Sequence, residues 1–212
     1  GAYADGLNAF ERAFDEEKLM WELDFMMQHF AKSFVGWQPE GAAKDMLEKF
    51  FKELVAQIAT LPRVFCHRDY HSRNLMLWNE QLFIIDFQDA VIGPVTYDLV
   101  SLLRDCYIRW PRERVEEWAL GYQALALQSG ILREEHEDPE QFLSWFDLVG
   151  VQRHLKAAGI FARLNHRDGK PAYLADIPRT LGYVVDVAGR HTGLGWLGDP
   201  CHVHVCQLCA VG

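Results

Sequence analysis

One short segment narrows the folds open to this chain more than any other. Arg63-Val64-Phe65-Cys66 reads as a strand, and His67-Arg68-Asp69-Tyr70-His71-Ser72-Arg73-Asn74 follows as a dense polar loop. Leu75-Met76-Leu77-Trp78 and Leu82-Phe83-Ile84-Ile85 then read as two strands joined by a tight Asn79-Glu80 turn. Asp86 stands at the end of the second strand, twelve residues past Asn74. A buried strand ending in Asp aims a carboxylate at the open end of a hairpin, where Asp69 and Asn74 enter from the neighbouring loop. Three oxygen-bearing groups can converge there. Phosphoryl transfer from a nucleotide needs such a set: hard oxygen ligands for Mg²⁺ and a carboxylate beside the acceptor hydroxyl. The competing reading is a capped turn plus a strand-end Asp, because both residue types also serve local turns.

Helical patterns surround this insert. Residues 8–34 read as helix, opened by a capping box at Asn8 and Glu11 and carrying Leu19, Leu23, Met26, Met27, Phe30 and Phe34. Trp37 to Gly41 breaks it. Met46, Leu47, Phe50, Phe51, Leu54, Val55 and Ile58 form the clearest apolar stripe, ending before Pro62. Gly93-Pro94 reads as a break. From Thr96 to about Ala188 the chain reads as three or four helices, with breaks at Trp110-Pro111, Gly130, Glu134–Glu140 and Asp168–Pro171. The expected class is α+β and mostly helical, with a small β-hairpin at its active edge. Cys66 and Cys106 read as buried, inert thiols. Trp110, Trp118 and Trp145 read as core more readily than as a sugar-stacking platform.

HRDYHSRNLM at 67–76, followed by FIIDFQDA at 83–90, resembles the catalytic loop and metal segment of the aminoglycoside phosphotransferase and choline kinase superfamily, whose fold is similar to protein kinases. The resemblance implies roles. Asp69 would be the catalytic base and His67 would brace the loop. Asn74 and Asp86 would hold Mg²⁺, with ATP as co-substrate. Asp98, in GPVTYDL, would support the loop from the following helix. Gln88 and Asp89 could reach metal or substrate, or cap a loop. Arg153 and His154 could face the acceptor, or be solvated or interhelical. The runs 85–107 and 153–179 are similar to bacterial cell-wall amino-sugar kinases, which act on the anomeric hydroxyl of N-acetylmuramate and N-acetylglucosamine. Many antibiotic kinases of the superfamily carry Gly after the loop His, where this chain has Arg68. Two other readings stay open: a kinase for an aminoglycoside, choline or homoserine, and a non-catalytic, pseudokinase-like binding fragment.

A complete kinase of this type needs an N-terminal nucleotide lobe with a phosphate-covering loop and a strand Lys. Nothing before His67 fits one. Residues 1–190 therefore read as the helical C-terminal catalytic lobe alone, and the opening Gly1-Ala2-Tyr3, without an initiator Met, as a sign of a longer parent. Loss of a whole lobe would uncover apolar surface, so self-association is expected to be open to the chain. Residues 191–212 form an atypical Gly-, Cys- and His-bearing tail. Its Cys201–Cys209 stretch could supply three thiolates and two imidazoles to Zn²⁺ or be an aberrant terminus.

Composition excludes several classes. Half of the residues are hydrophobic, which rules out wholesale disorder. Twenty-one Lys and Arg against 30 Asp and Glu give a net charge of −9, so no global basic footprint marks a nucleic-acid or anionic-membrane partner. No apolar run approaches the roughly 18 residues of a membrane span, and the opening residues do not read as a signal peptide. Five Cys, an odd number, do not suggest a disulfide scaffold. The expected address is the cytoplasm and the expected partners are a small-molecule acceptor and ATP.

Overall fold

The computed structural model describes residues 14–190; the Asn8–Glu11 cap and the Cys201–Cys209 tail lie outside the described residues. Among the described residues the chain is mostly helical with two small antiparallel sheets. It divides into two compact units. Among the described residues, one holds 14–16 and 57–149; the other holds 17–56 and 150–190.

The second unit opens with α1 (Glu16–Met26), which passes directly into a π-helical stretch over Met27–Val35. The helix expected over 8–34 is thus α-helical only to Met26. The change falls where another backbone comes close: a Cβ placed on Gly159 would sit 2.7 Å from Met26 Cα. Gly36 ends the stretch at φ 79, a conformation that glycine adopts freely, and its N–H donates to Lys32 O at 3.2 Å. Helix α2 (Gly41–Ala59) follows the expected stripe. Leu47, Phe50, Phe51, Leu54, Val55 and Ile58 are buried, whereas Met46 is exposed, one position off the stripe. Its water side carries the i,i+4 pairs Lys44–Glu48 and Lys49–Glu53, each contributing only about 0.3–0.5 kcal/mol.

The first unit carries both sheets. Strand β1 (Arg63–Cys66) pairs antiparallel with β4 (Val91–Pro94), Arg63 opposite Pro94 and Cys66 opposite Val91. Gly93-Pro94, expected as a break, is the end of this strand. Pro94 occupies its last position, where a missing N–H is tolerated. Gly93 lies against Cys66, whose Sγ would be 3.2 Å from any added Cβ. Strands β2 (Leu75–Trp78) and β3 (Gln81–Ile84) form a hairpin, Leu75 opposite Ile84 and Trp78 opposite Gln81. Asn79 and Glu80 close it, both at positive φ, as a two-residue turn of the primed type requires. The expectation of buried hairpin strands is corrected: β3 is exposed throughout, and Leu77 and Trp78 are 75% and 68% exposed.

Four α-helices follow among the described residues: α3 (Tyr97–Leu103), α4 (Arg112–Gln128), α5 (Pro139–His166) and α6 (Ile177–Ala188). They match the expected count, with breaks where Pro111, Gly130 and the 168–171 segment predict them. In the first unit, Tyr97 is fully buried and meets Phe14 edge-to-face at 4.9 Å. A buried ion pair joins Arg104 to Asp147. In the second unit, Gln152 and Lys156 of α5 meet buried Glu22 of α1 at 3.0 Å and 3.3 Å. Cys66 and Cys106 are buried thiols, as expected. Trp110 and Trp118 are not core: both are exposed and meet edge-to-face at 5.4 Å. No helix among the described residues is long and apolar enough to cross a membrane.

Candidate active site

The site grows from the register of the hairpin. Leu75 lies opposite Ile84, so Asn74 falls opposite Ile85, and the Ile85 N–H donates to Asn74 O at 3.1 Å. One residue further, at φ 69, the chain turns and presents Asp86. Asp tolerates this left-handed conformation better than most residues. The Asn74 Nδ2 group donates to Asp86 Oδ2 at 3.4 Å and to Asp69 O at 2.9 Å. Three distant positions, Asp69, Asn74 and Asp86, thus meet at the open end of the hairpin.

The loop is fixed through its backbone. Asp98, one residue into α3, accepts the N–H groups of His67 at 2.5 Å and Arg68 at 2.9 Å. Two bonds to one carboxylate pin the entry of the loop. Arg68 itself sits at φ 75. This is the position at which many antibiotic kinases carry Gly; here a side chain accepts a conformation costing about 1–2 kcal/mol, and the Asp98 bonds offset that strain. The His67 ring is buried and its Nε2–H donates to Ile85 O at 2.9 Å, tying the start of the loop to the residue before Asp86. His71 N–H donates to Asp69 O, and Asn74 N–H to His71 O, both at 3.0 Å. The segment Ser72–Asn74 is one turn of 3₁₀-helix.

The donor set suits a hard cation. Asp86 and the Asn74 amide offer oxygen ligands, and among the described residues no Lys or Arg forms an ion pair with Asp69 or Asp86. Gln88 Nε2 donates to Asp86 Oδ1 at 2.6 Å, so Gln88 orients the carboxylate. No group of three or more His, Cys, Asp or Glu side chains able to hold a metal is assembled among the described residues. A site of one carboxylate and one amide leaves the remaining positions to phosphate oxygens and water, which is how Mg²⁺ is ordinarily held on nucleotides. Asp89 is exposed in the adjoining turn. Arg153 and His154 belong to the second unit and are buried there, with the His154 ring stacked on Tyr183 at 4.8 Å.

Behind the loop entry lies a cavity of about 410 Å³, lined by Cys66, Tyr70, Val95, Asp98 and Tyr122 among others. Burial pushes the Cys66 thiol far above its ordinary range, with the Asp98 charge acting in the same direction. Burial raises the Tyr122 phenol as well, again with help from Cys66 and Asp98.

Sequence reasoning missed Asp105. It is 1% exposed, and it accepts the Ser72 N–H on Oδ2 and the Tyr107 N–H on Oδ1, both at 2.9 Å. The signal in the sequence is the charged pair Arg104-Asp105 inside the apolar run Leu102 to Ile108.

The model of the phosphotransferase enzyme family (APH) matches residues 4–143. Curated relatives are named N-acetylmuramate/N-acetylglucosamine kinase. The one from Pseudomonas putida is 39% identical over 210 residues, covering 94% of this chain and 61% of the relative. That from Pseudomonas aeruginosa is 41% identical over 204 residues, covering 92% and 60%. That from Neisseria meningitidis is 39% identical over 181 residues, covering 85% and 54%. The chain thus spans roughly three-fifths of the length of the first two relatives and about half of the third.

Proposed function

Because the chain belongs to the phosphotransferase enzyme family, we propose that it is the catalytic, acceptor-side lobe of an ATP-dependent sugar kinase, acting on the anomeric hydroxyl of N-acetylmuramate or N-acetylglucosamine. The observation that carries this reading is the meeting of Asn74 and Asp86 at the end of the hairpin beside Asp69 O. The names of the relatives supply the acceptor class.

Asp69 orients the acceptor hydroxyl and takes its proton as the phosphoryl group is transferred. Asp98 and the His67 ring hold the loop so that this carboxylate need not reorganise during the reaction. Asn74 and Asp86 would hold Mg²⁺ on the nucleotide, which supplies neutralisation of the charge developing on the phosphates. Gln88 keeps the Asp86 carboxylate oriented, and Asp89 stands next to it at the rim. Arg153 and His154 are buried in the second unit and are assigned no step. The two acceptor sugars differ by a lactyl carboxylate, so the acceptor pocket must admit that group or leave it in solvent.

The nucleotide lobe belongs in this reading to sequence outside the chain. Two observations support that placement. Among the described residues before Arg63 all regular structure is helical, with no strand to carry a phosphate-pairing Lys. The hairpin also bares apolar side chains from Met76 to Phe87, a surface for such a lobe to cover or, without it, for self-association. The enzyme would work in the cytoplasm, where ATP is supplied.

The test uses the full-length polypeptide that carries this chain, given ATP, Mg²⁺ and a panel of acceptors. Turnover should be found with N-acetylmuramate or N-acetylglucosamine and yield a phosphate at the anomeric carbon. Asp69→Asn should lower turnover about 10²–10⁴-fold with nucleotide binding nearly unchanged. Turnover with an aminoglycoside, choline or homoserine alone would replace the acceptor assignment. Binding without transfer to any acceptor would make the protein a binding module. Strong ATP turnover by the 212-residue chain alone would refute the division into lobes.

A further inference from the structure

The catalytic loop is gripped twice. Asp98 takes the two backbone N–H groups at its entry, and a second carboxylate, that of the buried Asp105, reaches the exit. We propose that Asp105 is a positioning residue, whose carboxylate fixes the Ser72–Asn74 turn and thereby the aim of Asn74 at the metal-bearing nucleotide; this deepens, and rests on, the phosphotransferase reading above.

The chemistry of the turn requires such a group. The first N–H groups of any helical turn lack an acceptor within the turn. Ser72 opens a turn of three residues, so its N–H needs an acceptor from elsewhere, and Asp105 Oδ2 provides one at 2.9 Å. A carboxylate buried to this degree is costly unless it is hydrogen-bonded. Asp105 meets that demand with one bond local to itself and one across 33 residues of sequence. The local bond, from Tyr107 N–H to Oδ1, is a simple turn within the segment after α3 and would not by itself require burial. The bond to Ser72 gives the buried carboxylate its reach into the loop.

A second contact repeats the linkage. The Arg73 guanidinium lies 3.5 Å above the Tyr107 ring, and the His71 ring meets the same ring edge-to-face at 5.6 Å. The residues flanking Ser72 thus rest on the residue whose backbone Asp105 also holds. At the far end of the turn, Asn74 spends its N–H on His71 O and its Nδ2 on Asp69 O. Movement of Ser72 therefore reaches Asn74 through one turn of backbone.

Two measurements test this. In the 212-residue chain without metal or nucleotide, Asp105→Asn should speed hydrogen exchange of the Asn74 backbone amide and of its side-chain NH₂ about tenfold or more. A Gln123→Ala control, which removes buried bonds to His136 O and Asp138 O, should lower the melting temperature without that effect. In the full-length polypeptide, Asp105→Asn should raise the Mg²⁺ concentration for half-maximal turnover about 10–100-fold, the scale seen when groups supporting metal ligands are removed. KM for the acceptor should stay within about twofold. Asp105→Asn keeps the volume of the side chain, so it carries the test even if Asp105→Ala fails to fold. Unchanged exchange at Asn74 would overturn the proposal, and so would an unchanged Mg²⁺ requirement where Asp86→Asn shifts it. If Asp86→Asn and Asn74→Ala also leave the Mg²⁺ requirement unchanged, it is the metal assignment of Asn74 and Asp86 that falls.

Discussion

The two sheets of the first unit are built from the same parts and meet different fates. Each is a pair of four-residue antiparallel strands rich in apolar side chains. The β1–β4 sheet is packed by its own unit: Cys66 and Val91 are buried, Phe14 N–H donates to Ile92 O at 3.1 Å, and the Arg63 guanidinium bonds to Phe14 O and Ile92 O. The β2–β3 hairpin turns Met76, Leu77, Trp78, Leu82, Phe83 and Ile84 to solvent, although no isolated two-stranded hairpin is more than marginally stable in water. Strand-forming residues therefore do not decide burial; what the rest of the molecule brings to them does. The packed sheet sets the entry of the loop over residues 67–74, and the bare hairpin presents Asp86 at its far end.

This contrast can be broken in four ways, taken from the largest expected effect. Phe14→Ala should cost the packed sheet about 3–5 kcal/mol, because Phe14 is buried against Tyr97. Denaturant unfolding of the 212-residue chain measures it, and a loss below about 1 kcal/mol would mean that the sheet is not closed from this side.

The second effect is a pH dependence. The folded-state pKa of Cys66 is raised by burial, so the thiol keeps its proton in the fold and loses it more readily once unfolded. The stabilisation is present in full below the ordinary thiol range and is lost as pH rises above about 8.5. The slope is at most about 1.4 kcal/mol per pH unit. Thermal unfolding from pH 7.5 to 10 should decline less steeply in Cys66→Ala than in the native chain; equal slopes would show that Cys66 is reached by solvent.

The third effect lies in the hairpin turn. Glu80 holds φ 60, which a non-glycine residue adopts at a cost of about 1–2 kcal/mol. Glu80→Gly should recover a part of this, up to about 1 kcal/mol, read as a rise in melting temperature. A fall would mean that the Glu80 side chain makes a contact worth more than the strain.

The smallest effect is the most informative. Leu77→Ser and Trp78→Ser should change the stability of the 212-residue chain by less than about 0.5 kcal/mol, because both side chains are already in solvent. The same pair should cost more in the full-length polypeptide, where a second lobe would cover them. Equal, near-zero costs in both would leave the hairpin bare in the whole protein.

Much of this was legible in the sequence. The stripe on α2 was read almost in full, because burial along one helix follows a period of 3.6 residues that spacing alone reveals. Met46 was the exception, as an apolar residue beside the stripe looks the same in sequence as one within it. The breaks between α3, α4, α5 and α6 were also visible, because Pro and Gly act on the backbone locally. Strand β4 was not visible: its Gly93-Pro94 end carries a break signal, and only pairing with β1 makes a strand of it. Trp110 and Trp118 were misread as core because exposure depends on neighbours distant in sequence.

The candidate site divides along the same line. By itself the sequence determined which groups meet at the candidate site. Asp69, Asn74 and Asp86 stand at spacings that one loop and one hairpin register bring together, and those are short-range constraints. The resemblance already implied that Asp98 supports the loop; what only the tertiary structure decided is the geometry of that hold and the second one, through Asp105. Asp98 and Asp105 act through backbone N–H groups 30 or more residues away, and a bond to a backbone group leaves no mark on the identity of the residue that donates it. Tertiary structure likewise decided that the more apolar of the two sheets is the exposed one, because burial depends on the surfaces that surround a strand as well as on its own residues.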